Sequence, residues 1–177
     1  MINVSEIIKD YPAEFKTPLH RKTYEALKEL DIPFERVEND PAVTMEDCEL
    51  IDERLNMKTV KTLFLANRQC TSFYLFVTPG DKPFRTKDFS SALGISRVSF
   101  ATPEKLLEIM GTEVGAATVF SLLLESAEDV QMVIDSEVLK SDTYGCTDGT
   151  TTGYMKLLTD DVINKLIPHT GHRYTVI

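Results

Sequence analysis

A lysine inside an apolar run is the first residue whose type and place could do chemistry. Lys61 interrupts the run Val60–Leu65 (VKTLFL), whose β-branched and aromatic residues are typical of a strand. A buried, unpaired ammonium group is costly, so the pattern leaves two interpretations open. Lys61 either lies on the outward face of an edge strand, or points inward as a fixed cation that could bind an anion or a developing oxyanion.

Two glycines four residues apart form the second candidate site. Gly111 and Gly115 flank the segment Thr112–Val114 and precede the apolar stretch Ala116–Leu124. Gly111 could be only a helix C-cap, and Gly115 only a turn residue. The same two glycines could also let the backbone approach a ligand closely and direct N–H groups at it.

Hydrophobic periodicity and capping residues predict alternating helices and strands around these segments. The predicted helices are Leu19–Leu30, Glu46–Asn56 (capped by Thr44), Thr86–Leu93, a helix from Thr102 to Gly111, and one from Thr159 to Ile167 that Pro168 ends. The predicted strands are Lys61–Ala66, Phe73–Thr78, Arg97–Phe100, Ala116–Leu124, Val130–Ile134, Thr150–Leu158 and Tyr174–Ile177, with a short extended piece at Phe34–Glu38. The sequence therefore predicts a mixed α/β (α+β) fold with six to eight strands. We expect one domain over residues 19–177, preceded by an N-terminal arm at residues 1–18.

The charge distribution favours an anionic ligand bound at one place. The formal charge of the 177 residues is −9, which excludes a generally basic nucleic-acid-binding surface. Residues 58–105, however, hold eight cations and only three acids. Sequence alone leaves open whether these cations share a face or are dispersed over solvated loops.

Composition predicts a reduced, cytoplasmic protein. Hydrophobic residues are 42% and charged residues 27%, as in globular domains. The three cysteines form no Cys-x-x-Cys pair, which argues against zinc ribbons and thioredoxin-like redox sites. We expect no membrane association, because no window approaches the roughly 20 apolar residues of a membrane span. Oligomeric state is not predicted.

Several common catalytic motifs are absent from the sequence. It contains no Gly-x-Gly-x-x-Gly, no Walker-type Gly-Lys-Ser/Thr and no Gly-x-Ser-x-Gly. His169 and His172 lack a third ligand, and His20 is expected on the solvent side of the first helix, so no metal or cofactor is predicted. Cys146 is either a nucleophile or an inert packed thiol. The sequence assigns no histidine partner to it, which favours the inert thiol.

Five motifs in order resemble one known family. They are Pro41–Glu46, Lys61–Leu65, Lys87–Phe89 leading to Leu93-Gly94, Arg97–Glu104, and Gly111-x-x-x-Gly115-x-x-x-x-Phe120. From about Leu19 to Leu166 the chain is similar to the YbaK/ProX-type aminoacyl-tRNA editing domains. The strongest likeness is to the prolyl-tRNA-synthetase-associated, alanyl-tRNA(Pro) deacylase branch.

This resemblance implies a mixed sheet curled into a partly open barrel with flanking helices, and hydrolysis of the ester that joins a wrong amino acid to tRNA. The family's strand lysine corresponds to Lys61 and its glycine loop to Gly111–Gly115. The expected catalytic residues are Lys61, which would hold the 3′-terminal adenosine, and Gly115 and Ala116, whose N–H groups would stabilise the oxyanion. The expected substrate-binding residues are Thr44, Gly111, Thr112, Val114, Gly145 and Cys146. The implied partners are the acceptor end of a mischarged tRNA and, as a candidate, prolyl-tRNA synthetase.

One stretch departs from the family pattern. Many members carry a His-Pro pair followed by an Asn, where this chain has Gly145, Cys146 and Gly149. The departure favours an alternative function, a non-catalytic module that binds aminoacyl groups or tRNA. The retained Lys61 and the two loop glycines favour the enzyme.

Overall fold

Eight strands form two separate sheets in the computed structural model, which describes all 177 residues. The strands are β1 (Glu35–Glu38), β2 (Val60–Asn67), β3 (Phe73–Pro79), β4 (Val98–Phe100), β5 (Gln131–Ile134), β6 (Thr143–Thr147), β7 (Gly153–Leu158) and β8 (Tyr174–Val176). One sheet has the order β4-β2-β3-β5-β8, in which the β3–β5 and β5–β8 pairs are parallel. The other has the antiparallel order β1-β7-β6.

Seven helical segments connect these strands. They are α1 (Pro18–Glu29), α2 (Glu49–Leu55), α3 (Thr86–Leu93), α4 (Pro103–Lys105), α5 (Ser136–Leu139), α6 (Thr159–Asp161) and α7 (Ile167–His169). Wider π-helical turns at Leu106–Met110 and Val162–Leu166 extend α4 and α6, and Val119–Leu123 and Glu125–Ala127 are 3₁₀ turns. No helix is long and apolar enough to cross a bilayer.

The two sheets approach at one corner, where a single parallel bridge joins Thr59, just before β2, to Gly145 in β6. Elsewhere they separate and enclose the main core, a cluster of 26 buried residues. Because the sheets meet only at this corner, the barrel is not closed. The predicted mixed α/β fold class is thus confirmed.

Helix α1 covers one side of this core. The Thr17 side chain caps it by accepting the His20 N–H, and Pro18 occupies the first turn, where its missing N–H costs nothing. Leu19, Tyr24 and Leu27 lie on one face and are fully buried. The amphipathic pattern read from the sequence therefore forms the predicted helix.

A second apolar cluster lies on the other face of the five-stranded sheet. Alternation along β2 sends Phe64 into the main core and Leu65 to the opposite face. There α3 covers the sheet, with Phe89 buried against Phe76. The five-stranded sheet is therefore covered on both faces.

The predicted strand at Ala116–Leu124 is wrong. Thr118 Oγ1 accepts the Phe120 N–H and begins the 3₁₀ turn Val119–Leu123. Val119, Phe120 and Leu122 are all buried. A short, wholly buried apolar run has no periodicity that separates a strand from a helical turn.

Several predicted boundaries also differ from the structure. Helix α2 begins at Glu49 rather than Glu46, because Thr44 stabilises a tight turn instead of capping a helix. Strand β6 was not predicted, since Gly145 weakens a strand pattern. At the last helix, the Thr159 hydroxyl has no hydrogen-bond partner, and the helical segments continue past Pro168 to His169.

The N-terminal residues up to Asp10 lie along β1. Isolated bridges join Val4 to Asn39 and Ile8 to Arg36. The Arg36 Nε also donates to the Asp10 carbonyl at 2.8 Å. Whether these residues are a separable arm stays a prediction.

Candidate functional site

A cavity of about 270 Å³ opens at the corner where the two sheets meet. Its walls come from the segment before α2, the start of β2, the glycine loop, and strands β6 and β7. The lining residues are Val43, Thr44, Met45, Cys48, Thr59, Val60, Lys61, Thr62, Leu63, Gly115, Ala117, Cys146, Thr147 and Tyr154. Four predicted site residues are among them: Lys61, Thr44, Gly115 and Cys146.

Gly115 forms the tightest part of the wall. Its φ of +92° lies in the region that favours glycine, and a Cβ there would stand 2.8 Å from Val43 Cγ1. The backbone is therefore exposed to the cavity with no side chain in front of it. The use of this bare backbone in binding stays a prediction.

The free donors of this loop are not the predicted pair. The Ala116 N–H donates to the Glu113 carbonyl at 3.0 Å, which closes a turn, so the prediction for Ala116 as an oxyanion donor is wrong. The N–H groups of Gly115 and Ala117 donate to no protein acceptor, and both residues line the cavity. Both residues are half-buried, so these two N–H groups are accessible to a ligand or to water.

Lys61 lies at the mouth of the cavity. Thr62 is paired with Val77 of the main core, so alternation directs the Lys61 side chain to the opposite face of β2. Its Nζ donates to the Lys82 carbonyl at 2.7 Å and the residue is half-buried. The Lys61 side chain thus points outward from the main core, although the residue lines the cavity. Strand β4 pairs only with Leu65–Asn67, which leaves the β2 edge at Lys61 open.

Ion pairs hold the loop that carries this carbonyl. Lys82 Nζ lies 2.7 Å from Asp135 Oδ2 and 2.9 Å from Glu137 Oε2. Hydrogen bonds to Asp135 and Glu137 raise the pKa of Lys82. Burial opposes ionisation of Asp135, but hydrogen bonds from Lys82, the Glu137 N–H and Thr78 outweigh it and lower the pKa of that carboxyl.

A reciprocal turn positions Thr44 and Val43 across from the glycine loop. Asp47 Oδ2 accepts the N–H groups of Val43 at 3.0 Å and Thr44 at 3.1 Å, and Thr44 Oγ1 accepts the Asp47 N–H at 3.2 Å. The two backbone donors lower the pKa of Asp47. Val43 was not predicted as a site residue, because it is far from Gly115 in the sequence and only the fold brings the two residues into contact.

Both cysteines in the cavity wall carry neutral thiols. Burial raises the pKa of Cys146 and of Cys48 above the ordinary range. A thiol is nucleophilic as its thiolate, so the arrangement does not favour covalent catalysis by Cys146. Its buried side chain forms a small part of the cavity wall.

The other predicted site residues lie outside the cavity. Gly111 ends the helix in the left-handed conformation, Thr112 is buried with an unpartnered hydroxyl, and Val114 is 57% exposed. Gly145 allows close approach of β6, since a Cβ there would lie 2.8 Å from the Lys58 carbonyl oxygen. These four residues shape the surroundings without lining the cavity.

A groove of about 1060 Å³ adjoins the cavity and shares Met45, Thr59 and Val60 with it. Its lining includes five acids against three lysines. The acids are Glu46, Glu49, Asp52, Asp81 and Glu137. Burial raises the pKa of Asp52, although hydrogen bonds from Thr59 oppose the shift.

A buried polar cluster behind the cavity was missed by sequence reasoning. Asp148 Oδ2 accepts His20 Nε2–H at 3.0 Å and the Tyr24 hydroxyl at 2.9 Å. His20 Nδ1 accepts the Lys16 N–H, which assigns the ring hydrogen to Nε2. His20 is 5% exposed, so its predicted place on the solvent side of α1 is wrong. No group of three or more His, Cys, Asp or Glu is arranged to hold a metal ion.

Comparison with known proteins agrees with this architecture. The sequence profile of the aminoacyl-tRNA editing domain matches residues 39–165. The chain belongs to this family. It is 30% identical over 113 residues to the prolyl-tRNA editing protein ProX of Acetoanaerobium sticklandii, which covers 64% of this chain and 69% of that protein. The chain is therefore an aminoacyl-tRNA deacylase that acts on tRNA.

Solved structures share the editing-domain fold. A candidate trans-editing enzyme for prolyl-tRNA synthetase superposes with a TM-score of 0.65 at 18% identity, over 91% of this chain and 97% of that one. The hypothetical protein APE2540 gives a TM-score of 0.67 at 18% identity, over 88% and 97%. At these identities the likeness concerns the fold alone.

Proposed function

We propose that this editing domain hydrolyses alanine from mischarged tRNA(Pro), with the aminoacyl group in the 270 Å³ cavity. The observation that carries the proposal is a small cavity lined by two unpaired N–H groups, with a lysine at its mouth. Similarity to a prolyl-tRNA editing protein supports the tRNA identity.

The cavity size supports a small amino acid. Pockets for drug-sized ligands occupy about 300–1,000 Å³, so this cavity suits an aminoacyl group without the nucleotide. A synthetase discriminates poorly against a smaller substrate, because a missing methylene is worth only about 1–3 kcal/mol. A second, smaller site removes that error by admitting alanine and excluding proline.

The unpaired donors suit ester hydrolysis. Water attacks the carbonyl carbon, and the carbonyl oxygen becomes the oxyanion of a tetrahedral intermediate. The N–H groups of Gly115 and Ala117 stabilise this charge, which typically contributes roughly 3–4 kcal/mol for one donor. Collapse breaks the bond to the ribose oxygen, which takes up the proton lost by water and leaves as the tRNA hydroxyl.

Lys61 acts through position and charge. The residue lines the cavity, and its ammonium group binds the Lys82 carbonyl at the adjoining groove. In this proposal the 3′-terminal adenosine lies beside that ammonium group once the aminoacyl group is inside. A lysine there contacts a phosphate or ribose hydroxyl as a point charge. Neither the Cys146 thiol nor Lys61 needs to transfer a proton in this scheme.

The replaced family residues do not remove this chemistry. Gly145 and Cys146 occupy strand β6, one beside the Lys58 carbonyl and the other in the cavity wall. Gly145 has no side chain, and burial raises the pKa of the Cys146 thiol and keeps it neutral, so the scheme relies on backbone donors and water. Prolyl-tRNA synthetase is proposed as the partner that releases the mischarged tRNA.

Deacylation of tRNA charged with alanine, serine, cysteine or proline tests the proposal. Alanine should be released fastest and proline slowest. Lys61→Ala should lower kcat/KM about 100-fold, the usual effect of losing a positioning contact. Lys22→Ala, which removes an exposed lysine from the outer side of α1, is the matched control.

Two results would contradict the proposal. Release of proline at the rate of alanine would contradict the size selection. Equal activity of the Lys61 and Lys22 variants would remove the role given to Lys61.

A further inference from the structure

An exposed aromatic and basic surface begins near Lys61 and continues over the layer of residues 82–89 that covers the outer face of the five-stranded sheet. We infer that this surface, formed by Phe84, Arg85, Lys87, Arg97 and Phe100, binds the single-stranded 3′ end of the tRNA. A base stacks on Phe100, and the neighbouring cations contact the phosphates. The inference rests on the proposed function, since it concerns the nucleotides that follow the aminoacyl group.

Lys61 links the cavity to this surface. Lys61 Nζ donates to the Lys82 carbonyl, and the chain then runs through Pro83 to Phe84. The Phe84 ring lies 5.7 Å from the Phe100 ring at an angle of 65°. Phe84 also contacts the buried Phe76 and Phe89, which fixes it in place. The surface therefore rests on rigid aromatic side chains.

Lys61 and Phe100 lie on the same face of the sheet. Phe100 pairs with Leu65, and Lys61 lies four residues before Leu65 on the same side of β2. At about 3.3 Å per residue, Phe100 and Lys61 are about 13 Å apart along the strand. A short single strand spans this distance.

Exposure of Phe100 calls for an explanation. The residue is 58% exposed although its ring packs against Phe84, at the edge of the buried aromatic cluster. Aromatic rings that bind single-stranded RNA present a free face on which any base can stack. An exposed ring on a rigid support is the geometry that stacking of a nucleobase requires.

The charges select this route over the neighbouring groove. Arg85, Lys87 and Arg97 are exposed, and none forms an ion pair. The one acid on α3 is Asp88. The groove, in contrast, is lined by five acids, and one of its three lysines is paired with Asp135 and Glu137. An anionic strand is attracted to the first surface and repelled by the second.

Binding of an uncharged acceptor-stem RNA with a single-stranded 3′ end tests the inference. Fluorescence anisotropy of the full chain should show that Phe100→Ala weakens binding roughly tenfold, as expected for one lost stacked base. Phe100→Trp should retain binding. Leu107→Ala removes another apolar side chain that is 58% exposed and should leave the affinity unchanged.

Salt dependence tests the basic residues separately. Arg85→Ala should lower the slope of log affinity against log salt by about 0.7, the value for one phosphate contact on a single strand. Arg173→Ala is the control, because Arg173 is exposed and immediately precedes β8, at the opposite edge of the sheet.

Equal binding by the Phe100→Ala and Leu107→Ala variants would overturn the inference, as would the same affinity for a blunt RNA that lacks the single strand. These binding results do not depend on which amino acid is hydrolysed. Failure of the substrate panel with a normal Phe100 effect would therefore contradict the proposed function alone.

Discussion

The wall of the cavity and the polar cluster around Asp148 lie side by side but differ in how their polar groups are satisfied. Thr147 lines the cavity, and the next residue, Asp148, points away from it into the protein. Asp148 accepts four hydrogen bonds, whereas the Gly115 and Ala117 N–H groups have no protein acceptor. A saturated polar cluster stabilises the fold, and unpaired donors beside a cavity are free to bind a substrate.

Residue types that are common in active sites have different roles in these two regions. A buried histidine beside a carboxylate resembles catalytic machinery. Here, however, both nitrogens of His20 are engaged, by the Lys16 N–H and by Asp148. The glycine loop has no titrating side chain, yet it carries the free donors. Unsatisfied hydrogen-bonding capacity is therefore a better guide to this site than residue type.

The largest expected effect is on stability. Asp148→Ala should lower the free energy of unfolding by about 3 kcal/mol, because it leaves His20, Tyr24 and Thr150 without their acceptor. Denaturant unfolding measures this, with the exposed Asp129→Ala as control. The folded fraction should still deacylate tRNA. If the Asp148→Ala variant were as stable as the wild type, the contrast between the two regions would be removed.

The next largest effect is on activity. Gly115→Ala should lower deacylation about 100-fold, since the new Cβ meets Val43 and displaces the free N–H groups. Gly171→Ala is the matched control: it also has a positive φ, but no neighbour within 4 Å. Single-turnover kinetics distinguish the two variants. Equal losses in both would show that backbone strain, rather than donor placement, explains the effect.

A smaller effect separates the members of the buried cluster. Tyr24→Phe should cost about 1 kcal/mol, because Asp148 Oδ2 keeps its hydrogen bond from His20. Tyr174→Phe, at an exposed hydroxyl, should cost nothing measurable in the same unfolding experiment. A cost equal to that of Asp148→Ala would mean that the cluster acts as one unit.

The smallest effect concerns the ion pairs that hold the cavity mouth. The pKa of Asp135 is lowered in the folded state, so its contribution to stability is present above about pH 4 and is lost as the pH falls through the folded pKa. Thermal unfolding of wild type and Lys82→Ala should therefore differ at pH 6 and converge at low pH. A difference that does not depend on pH would exclude the Asp135 pair as its source.

Sequence reasoning brought together two segments that meet at the cavity, but it misplaced individual groups. Lys61 and Gly115 were predicted together, and both line the cavity. The donor role given to Ala116 failed because the turn to Glu113 consumes its N–H. His20 was placed in solvent because an isolated helix pattern cannot show that Asp148, 128 residues away, would bury it.

The sequence by itself determined the α/β class, most of the helices and strands, and the two segments that meet at the site, because periodicity, capping and glycine conformations are local properties. The tertiary structure alone decided which N–H groups remain free, where the Lys61 ammonium lies and which carboxylate is saturated. Those properties depend on contacts between residues far apart in the chain, and hydrogen-bond satisfaction is settled only when such residues meet.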